Sequence, residues 1–166
     1  MNLYIIMIWK LSNTANKIAC QLADRHYSRR TIGAPQMMPP GRKIVLLSID
    51  NNAVWGTHWP YHELVMHSFG DCWICSIFRN ESNYLSSKMI SQAESVTRFI
   101  FGDPPSGGFI SFINKNKIKS ENPGYCFKMA GWTKIGKTKS GLIVLNHKSV
   151  EIPQAQMPIK YQLKLF

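Results

Sequence analysis

The chain has 166 residues, 45% of them hydrophobic, which suffices for one domain with a closed apolar core and excludes a largely disordered chain. Twenty Lys and Arg against nine Asp and Glu leave a net charge of +11. The excess sits at the two ends: +5 over residues 1–50, −2 over 51–114 and +8 over 115–166, which suits a folded core offering a cationic surface to a polyanion such as nucleic acid better than a merely basic soluble protein.

The opening run Leu3-Tyr4-Ile5-Ile6-Met7-Ile8-Trp9 has the apolarity of a signal segment. It lacks a basic start and a small-residue cleavage site, and Lys10 ends it short of a membrane span, so it reads as a buried first strand. The chain is therefore expected to be cytoplasmic, without a membrane partner, and its four cysteines reduced. Asn13 or Thr14 is positioned to cap a helix reaching about His26, with Ile18, Ala19 and Leu22 on its apolar face. From Ser28 to Gly41, Gly33, Pro35, Pro39, Pro40 and Gly41 mark a long loop. Lys43–Ile49 and Ala53–His58 read as strands joined by the turn Asp50-Asn51-Asn52, and Cys72–Phe78 as a third.

Met89, Ile90, Ala93, Val96 and Ile100 follow helical spacing after a cap at Ser86 or Ser87, and Gly102-Asp103-Pro104-Pro105 stops that helix. Gly108–Ile113 reads as a strand and Gly124–Ala130 as a short helix. A final hairpin, Thr133–Lys139 with Leu142–Lys148, turns at Ser140-Gly141. The expected organisation is one domain over residues 1–149 and a loosely attached extension over 150–166.

This order of elements resembles the GNAT (N-acetyltransferase-type) fold: α/β, with an α+β first half and a mixed central sheet of about six or seven strands flanked by helices. The segment Asn122-Pro123-Gly124-Tyr125-Cys126-Phe127-Lys128-Met129-Ala130-Gly131-Trp132-Thr133-Lys134-Ile135-Gly136 is similar to the family's late helix, which leads through a Gly-aromatic pair into a strand. Within that superfamily, His26-Tyr27-Ser28 resembles the phage Mom-like proteins, and the similarity extends thinly through Gly33-Ala34-Pro35, Arg79-Asn80-Glu81 and Leu85-Ser86-Ser87. The resemblance implies transfer of a carbamoylmethyl-type group to the N6 amino group of adenine in DNA, an anti-restriction function. It also implies a reaction site where the strands ending near Phe78 and Asn114 splay apart.

Two departures bear on the chemistry. Acyl-CoA enzymes carry a glycine-rich pyrophosphate loop between strand and long helix, whereas Arg79–Ser87 contains no glycine and carries Glu81. The sequence thus argues against ordinary use of acetyl-CoA, with Ser86 and Ser87 the residues placed to meet any cofactor there. Asn114 stands where Mom-like proteins tend to carry Asp.

Adenine's amino lone pair is delocalised into the ring, so a transferase must orient the amine, relieve it of a proton and stabilise developing charge. His26 suits proton transfer, Tyr27 and Tyr125 stacking or hydrogen bonding, and Arg79 a fixed positive charge on the floor of the cleft. Arg25, Arg29, Arg30, Arg42, Lys43, Lys115 and Lys117 are candidates for phosphate contacts, joined by Lys119, Lys134, Lys137 and Lys139. A base flipped out of a duplex would need an aromatic such as Trp55, Trp59 or Tyr61 to hold it.

His58, His62, His67, Cys72 and Cys75 invite a zinc reading, but an i, i+3 pair in a strand points to opposite faces, so no metal site is assigned. A catalytic metal held by histidines alone stays open, and the cofactor is left unknown. Two other functions compete with the DNA-modifying transferase: an acyl-CoA-dependent N-acetyltransferase acting on an amine, and a non-catalytic nucleic-acid-binding protein on a degenerate scaffold of the same kind.

Overall fold

A computed structural model describes residues 6–65 and 67–159. Seven strands form one sheet: β1 (Trp9–Leu11), β2 (Arg42–Ser48), β3 (Ala53–Trp59), β4 (Trp73–Asn80), β5 (Phe109–Ile113), β6 (Thr133–Lys137) and β7 (Ile143–His147). Their spatial order is β1-β2-β3-β4-β5-β7-β6. Only β4 and β5 run parallel; every other neighbouring pair is antiparallel. Helix α1 (Lys17–Asp24) covers one face, and α2 (Ser86–Phe101) and α3 (Tyr125–Met129) cover the other. This is a mixed α/β fold with a seven-stranded mixed sheet flanked by helices, in agreement at that coarse level with the expected arrangement.

The period of two along the strands assigns the faces. Ile44 and Leu46 of β2 and Trp55 of β3 pack under α2, while Val45, Leu47 and Val54 pack under α1. In β4 the alternation breaks. Thr57 pairs with Cys75 but Gly56 with Ile77, so Ser76 is an extra residue, a β-bulge. Cys75 therefore joins the α2 core and Ile77 the α1 core, although they are two positions apart, a spacing that otherwise keeps residues on one face.

Several expectations are corrected by local hydrogen bonding. The first helix is capped by Asn16, whose side chain accepts the Ala19 N–H, while Asn13 instead accepts from Ala15 in the preceding turn. Over Lys17–Asp24 the buried residues are Ala19, Cys20, Leu22 and Ala23, and Ile18 faces solvent. The long helix has Leu85 at its N-cap with no side-chain bond, because the Ser86 hydroxyl accepts from Asn80. The first strand begins at Trp9, with Met7 and Ile8 also buried; Leu3, Tyr4 and Ile5 lie outside the described residues.

The segment after Ser149 is attached over α2, as far as it is described. Ile152 is buried, its carbonyl accepts from Arg98, and the Gln156 N–H reaches the Ser95 carbonyl. Among the described residues no helix is long and apolar enough to cross a membrane.

Candidate functional site

The β4–β5 pairing lasts for only three residues, Trp73↔Phe109, Ile74↔Ile110 and Cys75↔Ser111. Beyond that point the strands diverge. The Ser111 hydroxyl donates to the Cys75 carbonyl at 3.2 Å and ties the base of the fork. A cavity of about 370 Å³ opens above it, walled by Ser76–Phe78 on one side, Phe112 and Ile113 on the other, and Tyr125–Phe127 of α3.

Three sequence-predicted residues meet there: His26, Tyr27 and Tyr125 all line this cavity. His26 and Tyr27 follow the end of α1, where the His26 N–H still reaches the Ala23 carbonyl. Their rings stack with centroids 4.4 Å apart, and the Tyr27 hydroxyl accepts the Asn114 N–H at 3.4 Å, so Tyr27 spans from the helix end to the end of β5. Tyr125, half exposed, stands at the mouth. It is placed by Gly124, whose φ of 77° opens α3 and whose missing Cβ leaves room for Leu145. The far end of α3 closes as a Schellman motif, with Gly131 N–H on Lys128 and Trp132 N–H on Phe127, which fixes the helix against the cavity.

The surroundings of His26 set its protonation state. Burial, aided by the nearby Arg79 charge, lowers its pKa from 6.5 to about 4, so the ring is neutral near pH 7. Its Nδ1 accepts the Ser28 backbone N–H at 3.1 Å and lies 2.7 Å from the Ser28 hydroxyl. An accepting Nδ1 places the proton of the neutral ring on Nε2. His26 thus acts as a hydrogen-bond donor through Nε2–H. With His26 neutral and no Asp, Glu, Lys or Arg among the described residues of its walls, those walls carry no charge.

The predicted cations scatter. Arg79 does not line the cavity: its side chain bonds Glu81 and the Arg25 carbonyl. Arg25 is paired with the same carboxylate at 2.8 Å, and these two cations hold the Glu81 pKa down to about 2. Arg29 is a clamp, with its guanidinium bonded to Asp24, Gln36 O and Ala34 O. Arg42 lies 3.6 Å over the Trp59 ring, level with the start of β4 and away from the fork, and Lys43 is exposed beside it. Arg30 is exposed on the loop after Tyr27. Lys115, Lys117 and Lys119 are exposed on the segment after β5, next to Ile118 and Ser120 of the cavity wall. Lys128 of α3, bonded to Asn122 of the wall, is a further cation beside it.

The Asn114 side chain caps the turn at Lys115–Lys117 by accepting the Asn116 N–H, and is not in the cavity wall. Ser86 and Ser87 also lie outside it. Between β4 and α2, Asn80 bonds Tyr84, Ser86 and Ser82, so the turn is filled by its own side chains where a glycine-rich loop would leave space. Glu81, however, points to Arg25 and Arg79, so its charge is compensated. Of the aromatics considered for holding a flipped base, Trp55 is fully buried and bonded to Thr57, Trp59 is covered by Arg42 and bonded to Asp71, and Tyr61 is exposed beyond the end of β3.

Cys72 and Cys75 belong to cores on opposite faces of the sheet, and among the described residues no group of three or more His, Cys, Asp or Glu is placed to hold a metal ion. Sequence reasoning gave no role to Ser28, Ser76, Ser111, Ser120 and Asn122, the small polar residues of the cavity wall. Ser76 had no local signal, because its exposure to the cavity depends on a bulge set by the partner strand. The chain matches no protein-family model, and comparison with curated proteins and with solved structures finds none similar to it.

Proposed function

We propose that the chain is a DNA-modifying transferase of Mom type, which adds a carbamoylmethyl-type group to the N6 amino group of adenine. The observation that carries this reading is the meeting of His26, Tyr27 and Tyr125 in one uncharged cavity with three lysines beside its mouth. An uncharged cavity rimmed by aromatic rings suits a neutral planar base, since no buried charge must be desolvated when it enters. Lys115, Lys117 and Lys119 then hold the phosphate backbone outside, where contact gives affinity without reading sequence. Tyr125 stacks on the extruded base at the mouth, and the His26 Nε2–H donates to an acceptor on the base or the incoming group.

The acyl-CoA alternative is opposed by the side-chain network of Asn80, Ser82, Tyr84 and Ser86, which occupies the turn that would have to cradle a pyrophosphate. The test is mass spectrometry of nucleosides from cells expressing the chain. A modified deoxyadenosine is expected, absent with His26→Ala while that variant still binds DNA in a salt-dependent manner. Unmodified deoxyadenosine in cells containing the intact, folded protein would overturn the proposal.

A further inference from the structure

A second cavity, of about 440 Å³, lies on the α1 side of the sheet under the loop that follows Tyr27. Ser28, Ser76 and Ile77 line both cavities, so the two abut across the β4 bulge. Their chemistry differs. The second has an apolar floor of Ala23, Met37, Met38 and Ile77, a wall of Pro39 and Pro40, and Arg30 in its lining. Among the described residues, Arg30 has no ion pair or hydrogen bond from its side chain.

The loop is built to keep this space open. Met37 is buried and its N–H bonds the Thr14 carbonyl; Arg29 holds the Ala34 and Gln36 carbonyls and is itself fixed by Asp24. Met38 sits at φ 85°, a left-handed conformation costly for a side chain with a Cβ. Its sulfur occupies the spot over Gly56 where any larger residue of β3 would carry its own Cβ. A loop rich in proline, pinned at four places around a pocket with an apolar floor and a polar rim, is preorganised for a ligand, because the ordering cost is met in the fold.

We infer that this second cavity binds a small anionic molecule with an apolar body: its carboxylate or phosphate meets Arg30, its body lies on Met37, Met38 and Ile77, and its other end reaches Ser28 and Ser76 at the wall shared with the first cavity. Arg29 also lines the cavity, but each of its three guanidinium nitrogens is bonded within the fold, so the ligand's charge is assigned to Arg30. The inference goes beyond the proposed reaction and does not rest on it.

The test is amide chemical-shift mapping on the intact chain with benzoate, phenyl phosphate and neutral benzyl alcohol as probes. Saturable shifts at Ala23, Arg30, Met38 and Ile77 are expected with one or both anions, whichever head group the site prefers. Benzyl alcohol should bind more weakly, and Arg30→Ala should weaken the preferred anion about tenfold. Arg30 is exposed, so the variant is expected to fold. Equal binding of the neutral probe, no effect of Arg30→Ala, or shifts confined to Lys115–Lys119 would overturn the inference. So would displacement of the anion from Arg30 by a short DNA duplex, which would make this cavity part of the nucleic-acid surface. If DNA instead fails to bind or to be modified while the anion still maps to the loop, the proposed function fails and this inference stands.

Discussion

Under α2 the sheet packs large rings: Trp9, Trp55, Trp73, Phe109 and Trp132 are fully or almost fully buried, with centroid separations such as 5.9 Å for Trp55–Phe109 and 4.9 Å for Phe127–Trp132. Under α1 the buried residues are mostly small, Ala19, Cys20, Ala23 and Val45 among them, and the space that remains is the loop cavity. The α2 face also encloses a hydrogen-bonded pair, Glu94 on α2 and His147 on β7, 2.6 Å apart and both buried. Apolar burial scales with side-chain area, so the rings concentrate stability on one face. The other face trades core volume for space. The fork between β4 and β5 lies where the two regimes meet, with Phe127 from the aromatic core on one wall and His26 from the α1 side on another.

The largest expected effect tests that asymmetry directly. Trp73→Ala should cost about 3–5 kcal/mol, as for other buried Trp deletions, whereas Cys20→Ala on the α1 face should cost only about 1 kcal/mol. Urea denaturation of both variants checks the contrast, and equal losses would show that the small-residue face is as important to stability as the aromatic one. A middle-sized effect is expected from Arg29→Ala, which removes the ion pair with Asp24 and leaves two loop carbonyls without their donor, at about 1–3 kcal/mol. Hydrogen exchange should rise over residues 29–40 and not over α2; faster exchange across both would mean the loop is not an independently held unit.

The smallest effect at neutral pH is the titration of His26. Its folded pKa of about 4 lies below the ordinary 6.5, so the fold favours the neutral ring. That contribution is complete above pH 6.5 and is lost as pH falls towards 4. Glu81, held down to about 2 by Arg25 and Arg79, acts in a more acidic window and is separable from it. Denaturation midpoints of the native chain should therefore decline between pH 6.5 and 4 more steeply than those of His26→Asn. Parallel curves would mean that His26 is solvated enough to titrate normally, and its assignment as a neutral donor would fail.

What the sequence determined by itself is local or periodic. The helical spacing from Met89 to Val96, the glycine stop at Gly131 and the hairpin turn at Ser140-Gly141 each depend on contacts within a few residues, and each is found close to its expected place. The pairing of His26-Tyr27 with Tyr125 was legible through the resemblance of two short segments. Composition and spacing alone did not connect them, since about a hundred residues separate them in the chain. The tertiary structure decided the rest. A one-residue bulge at Ser76 depends on which strand lies beside β4, and it switches the face of every later residue, including Arg79, which bonds the Arg25 carbonyl at the end of α1. The same holds for the cations: a guanidinium in a sequence is a charge, but whether it meets DNA, clamps a loop as Arg29 does or stacks on a ring as Arg42 does depends on the neighbour the fold supplies. Solvation and partners, which set both the pKa of His26 and the fate of each arginine, are properties of three-dimensional surroundings that no local pattern encodes.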